Sequence, residues 1–289
     1  MKCAFIEEYG SGFRVKKVCR TLCVSRSRYY SWKRRSKSFR QQENERLIAK
    51  IREAHKLSRR TYGSPRIAKE LKGNNILCGK NRVARLMRLE GIYAKTKRRF
   101  RVTTHSDHKL PVAENLLNRR FKTDRPNKVW LSDITYIRTQ KGWLYLSAVL
   151  DLYNRQIIGW SMEDRLTQDL VLQAFRQALV GRKPGPGVVF HSDRGSQYAA
   201  QDFQSILKQH QFSQSMSAKG NCYDNAVMES FFHTLKTEVV YFERYRTRAQ
   251  ARQSIFEYIE VFYNRIRRHS SLGYLSPLEF ENRMALKAA

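Results

Sequence analysis

Acidic residues, long apolar runs and paired cysteines are all scarce in this sequence. Its 289 residues hold 25 Asp plus Glu against 56 Lys plus Arg, a formal net charge of +31. That excess argues against an ordinary small-metabolite enzyme and points to a polyanionic partner. No run of about 18 apolar residues occurs, so no transmembrane helix is expected. The N-terminal MKCAFIEEYGSGF lacks the apolar core of about 7–15 residues that a signal peptide needs. The expectation is a soluble, cytoplasmic protein, associated with the nucleoid when bound to DNA. The cysteines Cys3, Cys19, Cys23, Cys78 and Cys222 are odd in number and scattered, with no CxxC pair. His105 and His108 lie close together but have no cysteine pair downstream. Reduced thiols are expected, and no structural zinc. There is no tandem repeat and no low-complexity tract.

A hydrophobic fraction of 41% is enough for a buried core, and the length suggests about two domains. The charge is unevenly spread. Residues 1–120 carry 33 basic and 9 acidic side chains, net +24; residues 121–289 carry 23 and 16, net +7. Between the halves, residues 97–126 have weak periodicity and two prolines. They read as a basic linker or arm.

The basic half contains two candidate DNA-reading units. In residues 14–34, Val15, Val18, Cys19 and Leu22 share a helical face, and Ser25 offers an N-cap. The segment beyond it carries Arg26, Arg28, Tyr29, Tyr30 and Trp32. Helix, short turn and basic helix make a helix-turn-helix pattern; the competing reading is a basic hairpin that only packs on a neighbour. In residues 62–92, Ile67, Leu71 and Ile76 form one apolar set, and Val83, Leu86 and Met87 a second. Gly73-Asn74-Asn75 interrupts them, and Gly91 suits a helix C-cap. Lys80, Arg82, Arg85 and Arg88 decorate the second helix. Each could neutralise a phosphate, or Arg82 could read a guanine edge; a solvated basic face is the alternative.

The balanced half reads as a mixed α/β sheet. Residues 129–137, 143–152 and 156–162 are strand-like and closely spaced, which favours an antiparallel meander. A helix over 167–180 follows, with Leu170, Phe175, Ala178 and Leu179 inward. Then come a strand at 188–193, a helix around 201–210, a short strand near 213–217 and a long helix from about Cys222 to Val240. Residues 247–264 suggest an amphipathic helix with Ile255, Ile259 and Phe262. Arg265, Arg267, Arg268 and His269 follow it as a basic cluster. Tyr263 and Tyr274 could stack on bases or pack in the core, with core packing favoured.

Asp133 lies mid-strand on the alternation of Val129, Leu131 and Ile137, where a carboxylate is unfavourable unless paired or bound to a cation. Asp193 ends the 188–193 strand, and strand ends of α/β sheets are where ligands usually bind. Glu229 lies on the long helix, with Asn225, His233 and Lys236 on the same face. Any one such acid is more often a surface or salt-bridged group. Three on separate elements are hard oxygen ligands suited to Mg²⁺ or Mn²⁺. A pair of ions about 3.5–4 Å apart can activate an attacking hydroxyl and stabilise the leaving oxygen at phosphorus.

TDRPNKVWLSDITYI, FHSDRGSQY and SAKGNCYDNAVMESFFHTLKTE closely resemble the catalytic core of orfB-type insertion-sequence transposases, from elements with two overlapping frames. These belong to the retroviral-integrase superfamily. In that family two aspartates are followed, after 35 residues, by a glutamate; here 35 residues separate Asp193 from Glu229. The family's basic residue, seven positions beyond the glutamate, is Lys236. RTYGSPRI with RVARLMRLEGI resembles the family's helix-turn-helix segment, and residues 263–281 its C-terminal signature.

The resemblance implies a ribonuclease-H-like mixed-sheet core preceded by helix-turn-helix-like DNA-binding segments. The expected division is a basic helical region at 1–58, a second DNA-binding unit at 59–96, a basic linker at 97–123, the catalytic core at 124–240 and a helical extension at 241–289. It implies metal-dependent cleavage and strand transfer, with Asp133, Asp193 and Glu229 binding two Mg²⁺ ions or Mn²⁺ as substitute. Lys236, Asn225, Arg26, Arg28, Lys80, Arg82 and Arg85 are the expected DNA contacts. The partners are double-stranded DNA at the element's terminal repeats and target, and a second copy of the chain, since synapsis joins two ends. The working enzyme in this family is often a frameshift fusion. This chain shows no heptad zipper, so an upstream-frame partner or fusion is expected too. Two rivals remain: a non-catalytic, transposase-derived DNA-binding regulator, to which an intact triad is of no use, and a nuclease that only hydrolyses.

Overall fold

The structure, a computed structural model, describes residues 2–10, 12–34, 36–95, 112–218 and 222–288. They group into two compact units, within residues 1–53 and 54–289. In the first, α1 (Lys2–Tyr9), α2 (Val15–Thr21) and α3 (Arg26–Arg34) precede α4 (Phe39–Leu57), which continues into the second range. The expected pair is α2 and α3, and Ser25 Oγ accepts the Arg28 N–H at 3.2 Å, the N-cap role. The sequence reading passed over α1, whose Ile6 is buried with Cys19 and Tyr29. The Tyr29 hydroxyl donates to Glu7 at 2.6 Å, and Lys33 lies 2.9 Å from the same carboxylate. Tyr29 is therefore a core residue, while Arg26, Arg28, Tyr30 and Trp32 stay exposed.

The second unit opens with α5 (Ser64–Gly73) and α6 (Lys80–Leu89). Ile67 and Leu71 of α5 and Val83, Leu86 and Met87 of α6 are buried. Both helices close on a left-handed residue, Asn75 at φ 60° and Gly91 at φ 62°. The N–H groups of Ile76 and Ile92 then reach back to the Leu71 and Met87 carbonyls at 2.8 Å. This pattern satisfies the last carbonyls of each helix. Lys80 and Arg85 are exposed and Arg82 is half-buried.

Five strands follow: β1 (Val129–Thr139), β2 (Gly142–Asp151), β3 (Ile157–Glu163), β4 (Val189–Ser192) and β5 (Ser213–Met216). Their spatial order is β3-β2-β1-β4-β5. The first three form the expected antiparallel meander. β4 and β5 add in parallel, each reached through a helical crossover. α7 (Gln168–Arg182), α8 (Ser196–Ala199) and α9 (Gln201–Gln209) belong to these crossovers. Phe175, Phe203, Tyr198 and Leu207 from them pack with Trp130, Phe190 and Met216 of the sheet. α7 lies so close to β3 that a Cβ on Gly159 would stand 2.8 Å from the Ala178 nitrogen, so that position requires glycine. α10 (Ala226–Glu238) and α11 (Arg248–Phe256) pack on β1, and α12 (Pro277–Ala288) ends the fold.

Three expectations need correction. The long helix from Cys222 begins as a 3₁₀ turn, Cys222–Asn225, and only then becomes α10, which ends at Glu238. The helix over 247–264 is α-helical to Phe256 and then widens into a π-helical stretch, Glu257–Tyr263. In the linker, residues 97–111 lie outside the described residues, His105 and His108 among them. Residues 112–123 are not a free tether: Leu117 is buried, and the Leu116 N–H bonds Ser215 Oγ at 2.9 Å.

Candidate active site

β1 carries two faces. Trp130, Ser132 and Ile134 point toward the α7–α9 layer, where Ser132 Oγ and the Tyr198 hydroxyl are 2.8 Å apart. Alternation puts Leu131, Asp133 and Ile137 on the opposite face. In the parallel ladder Leu131 pairs with His191. Two residues further along the two chains, just beyond the last pair of this ladder, stand Asp133 and Asp193. Asp193 sits just past β4 and turns the chain: its Oδ1 accepts the Gly195 N–H at 3.0 Å. Glu229 enters from α10, in its first turn, and is exposed. Lys236, two turns on, is half-buried.

The electrostatics link these four groups. Burial, then the charge of Asp193, push the Asp133 carboxyl well above the usual carboxylate range. The Ile134 N–H, 2.7 Å from its Oδ1, opposes the shift, Glu229 adds to it and Lys236 relieves it. Partial burial raises Glu229 as well. Burial lowers the Lys236 ammonium, against the pull of Asp133. The Tyr136 hydroxyl is raised first by burial and then by Asp193 and Asp133, so the negative field spans this end of the sheet.

Other buried acids of this unit are neutralised where they stand. Asp151, fully buried, accepts the N–H groups of Asn127 and Tyr153 and lies 3.1 Å from Arg182. Asp224 accepts from Asn115, from Arg119 at 3.0 Å and from the Ala218 N–H. Burial acts against its charge, but these donors hold it below the usual range. Glu238 is gripped by Arg267 at 2.7 Å and by the Tyr258 hydroxyl at 2.8 Å. Asp133 differs in kind, because like charges face it.

Among the described residues no three His, Cys, Asp or Glu side chains close into a ready-made metal cage. An open arrangement of carboxylates still suits a small hard cation. Mg²⁺ holds its waters tightly and is usually bound by one or two carboxylates plus substrate phosphates. Asp133, Asp193 and Glu229 offer oxygen donors of that kind.

Residues 42–100 match the family described as an HTH-like domain; residues 123–222 and 229–284 match two families described as integrase core domain. An uncharacterized 31 kDa protein of insertion element IS600 from Shigella sonnei is 47% identical, over 94% of this chain and 100% of that protein. The transposase InsF of insertion sequence IS3A from Escherichia coli K12 is 45% identical, over 98% of this chain and 99% of that one. The chain belongs to the IS3-family transposases. Among solved structures, a simian T-cell lymphotropic virus intasome in complex with PP2A regulatory subunit B56 gamma overlaps 74% of this chain and 73% of its own, at 15% identity and a TM-score of 0.47.

As a transposase with an integrase core and an HTH-like domain, the chain has DNA as its implied partner. Among the described residues no helix is long and apolar enough to cross a membrane. Several expected DNA contacts are exposed: Arg26, Arg28, Lys80 and Arg85. Asn225 stands elsewhere than expected. It is buried, and its Nδ2 donates to the Ser132 carbonyl at 3.2 Å, tying the start of α10 to β1 beside Asp133. That bond positions the helix and is not a surface contact. The basic cluster after α11 is also largely withdrawn: Arg267 pairs with Glu238, Arg268 with Glu70, and His269 is buried. Arg265 stays exposed. Tyr263 packs in the core as favoured, and Tyr274 is half-buried beneath the Lys69 ammonium.

Sequence reading passed over the polar network behind the site. His191 lies between Ser215 Oγ at 2.9 Å and Ser217 Oγ at 3.3 Å, and burial lowers its pKa to about 4. It is a neutral strut under β4 and β5. Its signal was the histidine inside an apolar strand, whose polar partners lie about 24 residues downstream.

Proposed function

We propose that this transposase cleaves DNA at its element's ends and joins them to a target through Asp133, Asp193 and Glu229. The observation that carries the reading is the placing of Asp133 against the negative charges of Asp193 and Glu229 beside the end of β4, in a chain of net charge +31. A carboxylate held in that field is unfavourable unless a cation completes it. Water attacks the phosphodiester at the element's end and frees a 3′-hydroxyl, which then attacks a phosphodiester in a second strand. No side-chain nucleophile is needed. Two Mg²⁺ ions, or Mn²⁺ in their place, would activate the attacking oxygen and neutralise the leaving one. Asp133 on β1 and Asp193 just past β4 would supply two of the ligands. Glu229 supplies the exposed one, on a helix that Asn225 fastens to β1. Lys236 supplies a cation for a phosphate near the reacting end.

The DNA-binding units hold terminal repeats and target through Arg26, Arg28, Lys80, Arg82 and Arg85. Pairing of two ends calls for at least two copies of the chain, and an upstream-frame partner or fusion extends the end-binding surface. The test is an assay on labelled DNA carrying the element's ends, with and without Mg²⁺. Wild type should nick and join, and Glu229→Gln should do neither while still binding DNA. Full joining by Asp133→Asn or Glu229→Gln would refute the assignment.

A further inference from the structure

A cleft of about 340 Å³ opens beside α10, on a face adjoining the one that carries Glu229. At 3.6 residues per turn, Glu229, His233 and Lys236 project about a quarter turn away from Ser230 and Thr234, which line the cleft. The other walls bring in Arg66 from α5, Arg155 from the β2–β3 turn, and Arg267 and His269 from the segment after α11.

The charges in this cleft do not balance. Glu238 binds Arg267 and lies 3.8 Å from Arg66. Arg155 donates to the Phe121 carbonyl at 2.9 Å, and among the described residues it has no carboxylate partner. Three guanidinium groups thus converge with one carboxylate to neutralise them. Burial holds both Arg66 and Arg155 below the ordinary arginine range, and the Arg267 charge adds to the effect on Arg66. His269 supplies an independent sign. It is 8% exposed, and its Nε2 is buried without a hydrogen-bond partner. Such an orphaned ring nitrogen calls for an explanation, and a bound ligand provides one.

We propose that this cleft is a phosphate-binding site, separate from the acidic site, that seats a phosphate group among Arg66, Arg155, Arg267 and His269 with Ser230 and Thr234 as hydroxyl donors. Planar guanidinium forks suit phosphate oxygens, and the serine and threonine hydroxyls add neutral donors. The group can arrive as a backbone phosphodiester of DNA or as a free phosphate ion. In either case it rests against the helix that carries Glu229. The proposal does not depend on the acidic site, because binding is read without any chemistry.

The test titrates inorganic phosphate into the full chain by calorimetry at constant ionic strength, with chloride as the matched control. Wild type should saturate at one site. Arg155→Gln should weaken binding about tenfold or more. Arg66→Gln should weaken it too, which keeps the test alive if the first variant does not fold. Arg176→Gln, on the exposed side of α7, should leave it unchanged. Absence of saturation above chloride, or unchanged affinity in both cleft variants, overturns the proposal. A second arm adds a saturating short duplex. Loss of phosphate binding, with a salt slope for DNA reduced by about 1 in Arg155→Gln, assigns the site to the DNA backbone. Phosphate binding that persists with DNA bound assigns it to the free ion.

Discussion

Glu238→Leu should be a strongly destabilising single change in the C-terminal half of this transposase. The carboxylate ends α10, is 8% exposed, and receives Arg267 through Nε at 2.9 Å and Nη2 at 2.7 Å. It also accepts the Tyr258 hydroxyl at 2.8 Å. Without it, Arg267 is left as a buried charge with Arg66, which repels it, close by. Breaking one side of a buried pair typically costs about 3–5 kcal/mol, with about 1 kcal/mol more for the orphaned tyrosine hydroxyl. At about 2–4 °C per kcal/mol for a domain of this size, Tm should fall by roughly 8–24 °C. Arg267→Met should cost less, because Glu238 keeps Tyr258 and gains Arg66 as its nearest cation, 3.8 Å away. The double variant Glu238→Leu/Arg267→Met should recover most of the loss, since replacing both charges by apolar groups removes their desolvation penalty. Thermal unfolding and urea melts of the four proteins complete the cycle. A single-variant loss under about 1 kcal/mol, or a double variant as weak as the sum of the singles, would show that the pair is not a buried staple.

Further expectations address other parts of the molecule. Asp133→Asn should abolish joining yet stabilise the metal-free protein, because it removes a carboxylate repelled by Asp193 and Glu229. The folded carboxyl binds its proton more tightly than the unfolded one. Its contribution to stability is therefore full below the ordinary aspartate range and is lost as pH rises through the raised folded value. In a chelating buffer the Asn variant should lack that decline; a lower Tm than wild type at pH 7 would contradict the repulsion. His191 acts in the opposite sense. With a folded pKa of about 4 against 6.5, its stability contribution is present at neutral pH and lost on acidification toward 4, by about 3 kcal/mol. His191→Gln should flatten that slope in urea melts over pH 4–7. Gly159→Ala forces β3 and α7 apart and should cost about 1–3 kcal/mol, readable as a lower urea midpoint. Ser25→Ala should cost about 1 kcal/mol in the N-terminal unit, seen as a loss of its helical circular dichroism on mild heating.

The sheet was legible because its strands announce themselves by period. VWLSDITYI is rich in β-branched and aromatic residues, WLYLSAVLD is a short apolar run, and they meet across the two-residue turn Gln140-Lys141, which Gly142 closes at φ 104°. Asp133 stood out for the same reason, a carboxylate where the alternation demands an apolar side chain. Its partners were legible through the family spacing, since nothing local tells which strand neighbours β1. Only the parallel Leu131–His191 pairing brings Asp193 alongside. α1 was missed because eight residues with a glutamate pair near the end give a weak helical period. Its place comes from tertiary contact, Ile6 against Tyr29, which no window of sequence contains.

Charge was the property most open to misreading, and the C-terminal signature shows why. Arg265, Arg267, Arg268 and His269 are near neighbours in sequence and look alike as a basic run. The chain turns sharply after the π-helical stretch and sends them in different directions. Arg265 faces solvent, Arg267 goes under α10 to Glu238, Arg268 crosses to Glu70 on α5, and His269 stacks edge-on against Tyr263 at 4.8 Å. A count of cations therefore overstates the surface available to DNA and understates how much charge is held inside. The same holds for acids: Asp151, Asp224 and Glu238 have donors or cations that fix them, while Asp133 has neighbours of its own sign. The sign of the company a buried charge keeps separates a structural group from one that waits for a ligand. By that criterion the described residues hold two places of unbalanced charge, an acidic one where Asp133 of β1 stands beside the end of β4 and a basic one on the adjoining face of α10. They suit the two kinds of ion that a DNA-joining enzyme handles, metal cations and phosphates.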